Sequence, residues 1–148
     1  MDMRLRSEVY PLATTFTISR GSKNQADVVV VEVEAGGHIG RGECVPYPRY
    51  GETVKAVVAT LENVRPALAS GLDRTTLQQT LPAGAARNAL DCALWSWEAA
   101  QAGCRVFELL QAPMPKPVTT AYTLSLGIPT AMEAAASEQS NRPLLKLK

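Results

Sequence analysis

The chain has 148 residues, a 46% apolar share and a formal net charge of +1 at pH 7. That is enough length for one ordinary domain with its own core, and too apolar a composition for a disordered chain. A charge so near zero gives no electrostatic case for a nucleic-acid partner, and no apolar run approaches the roughly 18 residues of a membrane span. Met1-Asp2-Met3-Arg4-Leu5-Arg6 lacks the apolar stretch of a secretory signal peptide. Cys44, Cys92 and Cys104 have no metal-ligand spacing and read as reduced, partly buried thiols of a cytoplasmic protein. His38, beside Gly36-Gly37, reads as an exposed turn residue rather than a ligand.

From Met3 to Tyr10 the pattern alternates, with Met3, Leu5 and Val9 on one side and Arg4, Arg6 and Glu8 on the other. This predicts a half-buried strand that ends at Pro11. A polar loop, Thr14 to Asn24, is expected next, with Phe16 and Ile18 embedded in it. Asp27 to Ala35 is rich in valine and alternates clearly. Gly36-Gly37 supplies the positive φ of a tight hairpin, and His38 to Val45 follows. Residues 3–45 therefore predict a three-stranded antiparallel meander. Gly40-Arg41-Gly42 lacks the rest of a phosphate loop and reads as strand glycines making room for a neighbour.

Pro46-Tyr47-Pro48-Arg49-Tyr50-Gly51 must be a loop, and with the Phe16–Arg20 loop it could form a substrate-facing pair. Glu52 to Leu68 predicts a helix burying Val54, Val57, Val58, Leu61, Val64 and Leu68. Thr75 to Leu81 predicts a short helix closed by Pro82. Ala85 to Ala102 predicts the longest helix, with a stripe of Ala86, Ala89, Leu90, Ala93, Leu94, Trp97 and Ala100 and an Arg87–Asp91 pair on its surface. Trp95 and Trp97 read as packing residues. Gly103 is a good stop, and Arg105 to Leu110 adds one more turn.

Three prolines between Ala112 and Val118 predict a stiff connector and a domain boundary, giving 1–113 and 114–148. Beyond it, Val118 to Leu126 predicts a strand. Thr130 and Glu133 predict a capping box for a helix Ala131 to Gln139, and Leu144 to Lys148 predicts a second strand. That is one βαβ step of a parallel sheet. Lys146 and Lys148 stand two apart, on one face of that strand. Alone they read first as a basic tail in water. On a buried face each ammonium would disfavour the charge on the other, as a proton-transferring lysine requires.

A meander, a helical bundle and the start of a βα pattern ending in Lys-x-Lys resemble the enolase superfamily. The stretch Ala83-Gly84-Ala85-Ala86-Arg87-Asn88-Ala89-Leu90-Asp91-Cys92-Ala93-Leu94-Trp95 is similar to the hallmark helix of its capping domain. Phe16 to Gly21 and Gly42 to Glu52 resemble the two capping loops of bacterial L-Ala-D/L-Glu dipeptide epimerases, in the muconate-lactonising subgroup. The resemblance implies an α+β fold: an enolase-type N-terminal capping domain followed by the first βαβ of an incomplete (β/α) barrel, since a whole one takes about 250 residues. It implies Mg2+ holding the carboxylate of a small dipeptide substrate, and two lysines exchanging the α-proton on opposite faces while the metal stabilises the enediolate.

By match, Lys148 is one acid/base and Lys146 its neighbour at the substrate carboxylate, depressing the proton affinity of Lys148. Thr123 is a substrate contact, and Arg20 recognises the glutamate side-chain carboxylate. The family's acidic metal ligands and second lysine lie on later strands, so no metal ligand is expected among these residues, and the chain alone is expected to be inactive. Other readings are a non-catalytic capping-type binding module, or another racemase or cycloisomerase of the superfamily. Neither nucleic acid nor membrane is expected as a partner, and self-association is left open.

Overall fold

A computed structural model describes all 148 residues. The first element is a meander of β1 (Asp2–Ile18), β2 (Gly21–Ala35) and β3 (His38–Cys44), in the order β1-β2-β3. β2 and β3 pair antiparallel from Val29↔Cys44 to Ala35↔His38. Gly36 and Gly37 close that hairpin at φ 59° and 77°, the positive values a two-residue turn of matching twist demands.

The helices are α1 (Val54–Ala69), α2 (Arg74–Thr80), α3 (Ala85–Ala102) and α4 (Val106–Leu109). Val29, Val31 and Val33 of β2 are fully buried in one core with Leu61, Leu68, Leu77, Leu90 and Ala93. Each large aliphatic side chain withdrawn in this way contributes on the order of 1.5–3 kcal/mol. Glu32, between two of those valines, points to the other face. There its carboxylate accepts from Arg6 at 2.7 Å and Arg41 at 2.6 Å.

α3 lies directly on β3, and two glycines allow it. A Cβ on Gly40 would stand 2.1 Å from the Ala93 carbonyl oxygen, and one on Gly42 2.0 Å from that of Ala89. The Ala-rich stripe of α3 and the bare backbone of β3 are thus two halves of one close approach. Arg74 fixes α2 to α3 by a two-pronged bond to Glu98, both prongs 2.8 Å, with its guanidinium 3.3 Å above the Trp95 ring. Trp97 Nε1 donates to the Ala35 carbonyl at 3.1 Å.

The remaining elements are β4 (Tyr122–Thr123), α5 (Pro129–Glu138) and β5 (Leu145–Lys146). β4 and β5 pair parallel, Tyr122↔Leu145 and Thr123↔Lys146. The chain divides into two compact units: Met1–Val9 with Asp27–Met114, and Tyr10–Ala26 with Pro115–Lys148. The α+β class, the three-stranded antiparallel sheet with helices and the small parallel step all stand as expected.

Several details differ from the sequence-based expectation. Pro11 does not end the first strand, and Thr14 to Asn24 is not a loop. β1 continues to Ile18 and only Ser19-Arg20 turn the chain. β1 is a sheet edge, where a residue without an N–H is tolerated. The buried alanine near the end of α3 is Ala99, not Ala100. Arg87 does not pair with Asp91. It donates to the carbonyls of Gln78 and Leu81, in and just after α2, while Asp91 accepts from Gln78 Nε2, so both groups are engaged across to the neighbouring helix.

The strand expected over Val118 to Leu126 shrinks to Tyr122–Thr123. Thr130 caps nothing. α5 starts at Pro129, whose fixed φ suits a first helical position, so Thr130 already lies inside the helix.

Candidate functional site

Arg20, Thr123, Lys146 and Lys148 all belong to the second unit. Arg20 sits on the two-residue turn between β1 and β2, exposed. It takes part in none of the chain's ion pairs. Its guanidinium is free to meet an anion from outside the chain. The turn is held beneath it: Thr17 Oγ1 and Ser22 Oγ stand 2.9 Å apart across the hairpin.

Thr123 is partly buried on β4, directly opposite Lys146 on β5. Leu124 N–H donates to the Lys146 carbonyl at 2.9 Å, and Tyr122 N–H to that of Leu144 at 2.9 Å. The strand pairing therefore puts a hydroxyl and an ammonium side by side. Lys148 follows two residues on, just past the paired stretch. The structure departs from one premise here: Lys146 and Lys148 are both exposed, so these 148 residues do not themselves bury the lysine face.

Ser125 is not among the residues expected at the site. Its Oγ accepts the Thr17 N–H at 2.8 Å and lies 3.3 Å from the Thr15 carbonyl, while Leu126 N–H donates to the Thr17 carbonyl at 2.9 Å. These bonds join the Arg20 hairpin to the segment that follows Thr123.

The first unit carries the loop Val45–Gly51, with a 3-10 turn at Pro48–Tyr50. Beside it lies a cavity of about 520 Å³ lined by Cys44, Tyr47, Tyr50, Glu52, Gly84 and Asn88 among others. The Tyr47 and Tyr50 rings meet at a tilt of 52°, 5.7 Å between ring centres. Glu52 holds the loop. Its carboxylate accepts the Ala85 N–H at 2.6 Å and the Tyr47 N–H at 3.0 Å. Those bonds, Ala85 first, keep its carboxyl below the ordinary range against the opposing effect of burial. Cys44 is pushed the other way. Burial, then the charge of Glu52, raises its thiol to about 11, which leaves no thiolate nucleophile at neutral pH.

No three His, Cys, Asp or Glu side chains come together in a way that could hold a metal ion. The residues present do not fit a Mg2+ site. No helix is long and apolar enough to cross a membrane.

Residues 1–111 match the N-terminal domain of the mandelate racemase / muconate lactonizing enzyme family. The L-Ala-D/L-Glu epimerase of Escherichia coli K12 is 47% identical over 148 residues, 99% of this chain and 46% of that protein. An enolase family member from Agrobacterium tumefaciens, with homology to dipeptide epimerases and solved with sodium and L-Ala-L-Glu, superposes with a TM-score of 0.94. It is 47% identical, and the match covers 99% of this chain and 45% of that one. A dipeptide epimerase from Enterococcus faecalis V583, complexed with Mg and L-Leu-L-Tyr, gives 0.87 at 28% identity, over 99% and 44% of the two chains. The chain thus spans about half the length of the relatives it matches. The match over three quarters of its length, on the meander and helices just described, makes this chain a member of the mandelate racemase / muconate lactonizing enzyme family.

Proposed function

We propose that these residues are the capping domain (1–113) and first barrel strands (114–148) of a cytoplasmic dipeptide epimerase acting on L-Ala-D/L-Glu type substrates. The observation that supports the reading most is the 47% identity with L-Ala-D/L-Glu epimerase along 99% of the chain.

In this reading Arg20 forms the paired hydrogen bonds of a guanidinium with the carboxylate of the substrate's glutamate side chain. Thr123 and Lys146, opposite one another across the β4–β5 pair, meet the dipeptide near its terminal carboxylate. The Lys148 amine takes the α-proton from one face, and a proton returned to the other face inverts the centre. A proton beside a carboxylate is so weakly acidic that a lone amine does not remove it usefully. The chain offers no acidic donor set for the Mg2+ of its relatives. Hence the 148 residues alone bind or present substrate without turning it over.

The test is hydrogen–deuterium exchange at the glutamate α-carbon of L-Ala-L-Glu with Mg2+ in D2O. The protein expressed from its full coding frame exchanges that hydrogen and inverts the centre; the 148-residue chain does neither. Turnover by the short chain would overturn the claim that it lacks the machinery. No turnover by the full frame would overturn the epimerase reading.

A further inference from the structure

One hydroxyl of the second unit lies outside the roles above. Ser125 Oγ accepts from the Thr17 N–H at 2.8 Å and donates to the Thr15 carbonyl at 3.3 Å, and Leu126 N–H adds a 2.9 Å bond to the Thr17 carbonyl. Thr15 and Thr17 belong to β1, an edge strand, whose outward backbone groups otherwise turn to water or to another chain. Here a serine side chain and the backbone beside it occupy that edge in place of a fourth strand.

Both ends of the contact lead to residues assigned above. Along β1, Thr17 is three residues before Arg20, and its hydroxyl meets that of Ser22 beyond the turn. Along the other segment, Ser125 is two residues after Thr123. The intervening Leu124 N–H is bonded to Lys146.

We infer that Ser125 is a positioning residue: its hydroxyl fixes the hairpin tip that carries Arg20 to the strand end that carries Thr123. The part concerning substrate rests on the epimerase reading; the contact itself does not. An exposed arginine on a two-residue turn has many rotamers to lose when it grips a carboxylate. Holding the backbone beneath it removes part of that cost before binding. The ligand it serves is a dipeptide with an anionic side chain. Neither the α-proton nor the base that takes it is touched, so the effect falls on binding and not on proton transfer.

The experiment compares Ser125→Ala and Ser125→Thr with the parent in the full-frame protein, by two readouts. In amide exchange, Ser125→Ala releases Thr17 and Leu126 about fivefold faster, the equivalent of one lost hydrogen bond, while Val29 to Val33 keep their protection. Ser125→Thr, which retains the hydroxyl, restores both. In the epimerase assay, Ser125→Ala raises KM for L-Ala-L-Glu by a similar factor and leaves kcat in place, with no such rise for a dipeptide whose second side chain is uncharged. Unchanged protection of Thr17 overturns the inference. So does a loosened tip with an unchanged KM, or a fall in kcat instead. A parent that neither binds nor epimerises the dipeptide defeats the epimerase reading and the substrate half with it, leaving the exchange result to decide whether the contact holds the tip.

Discussion

Glu52 caps a helix that begins 33 residues later: its carboxylate accepts the Ala85 N–H at 2.6 Å. α3 needs this because its own N-cap, Gly84, has no side chain to offer. The missing Cβ also leaves room, since a methyl on Gly84 would stand 2.9 Å from Glu52 Oε1. The second oxygen of Glu52 holds the Tyr47 N–H, so one charge ties the second capping loop to the start of the hallmark helix. A negative group at a helix N-terminus is also favoured by the helix dipole.

Replacing Glu52 with glutamine keeps the shape and removes the charge. We expect Glu52→Gln to lose about 1–2 kcal/mol at pH 7, measured by urea unfolding. The folded-state proton affinity of Glu52 is depressed below its ordinary 4.5, so its contribution is complete above that value and fades as pH falls through the lower one. The gap between parent and variant should therefore close in acid. A gap that stays constant from pH 7 to pH 3 would show that charge is not what Glu52 contributes.

The glycines of the sheet divide into two kinds, and substitution separates them. Gly42→Ala drives a Cβ to 2.0 Å from the Ala89 carbonyl oxygen, backbone against backbone with nothing flexible to yield. We expect a loss of about 3 kcal/mol or more, or no folded product. Gly36→Ala meets open space and suffers only from its φ of +59°, for about 1 kcal/mol. Thermal melts that ranked the two equally would mean that α3 does not depend on touching β3.

How much of this was legible beforehand depends on whether the deciding contact was local. α3 is predicted and found at Ala85–Ala102, because Gly84 and Gly103 punctuate it and its stripe has helical period. The strand glycines were legible too, since an Ala-rich stripe and a Gly-x-Gly strand suggest each other. What escaped was fixed by distant partners. β1 passes Pro11 because topology makes it an edge. Arg87 turns from Asp91 to the carbonyls of Gln78 and Leu81, residues distant from it in the helical repeat. Of the candidate site, Arg20, Thr123, Lys146 and Lys148 are named by resemblance and the parallel βαβ step by pattern, but the register that sets Thr123 opposite Lys146 is not, because periodicity fixes no register between strands. Ser125 could not be found, because a serine that stitches an edge strand more than a hundred residues away leaves no periodic trace.

Cysteine chemistry gives a third prediction. With its thiol raised to about 11 and only 7% of its surface exposed, Cys44 at pH 8 is ionised to about one part in a thousand. We expect iodoacetamide to spare Cys44 in the native protein and to modify it promptly once urea unfolds the chain, as read by peptide mass spectrometry. Rapid native alkylation at Cys44 would mean that the cavity it lines opens far more than the structure shows.

Arg20 offers a direct test of substrate choice. Arg20→Lys keeps a positive charge but loses the planar fork that matches a carboxylate. In the full-frame protein we expect KM for L-Ala-L-Glu to rise at least about tenfold with little change for a dipeptide lacking the acidic side chain. Lys148→Ala should act oppositely, abolishing α-proton exchange while dipeptide binding persists. If Lys148→Ala weakened binding as much as turnover, its assignment to proton transfer would be lost.

The last prediction concerns the 148-residue chain by itself. β4 and β5 form a sheet of only two paired positions, and two strands seldom hold alone in water. Around them Val118, Ile128 and Leu147 are exposed at 86%, 69% and 67%. Unpaired strand edges beside apolar side chains invite other chains. The first unit has a closed core by contrast, with Val29, Leu61 and Leu90 fully buried. We therefore expect the isolated chain to self-associate with rising concentration in sedimentation, with amides of residues 118–148 exchanging quickly while those of Val29 to Val33 stay protected. A monodisperse monomer with slow exchange across residues 118–148 would mean that the β4–α5–β5 step is stable without further strands beside it.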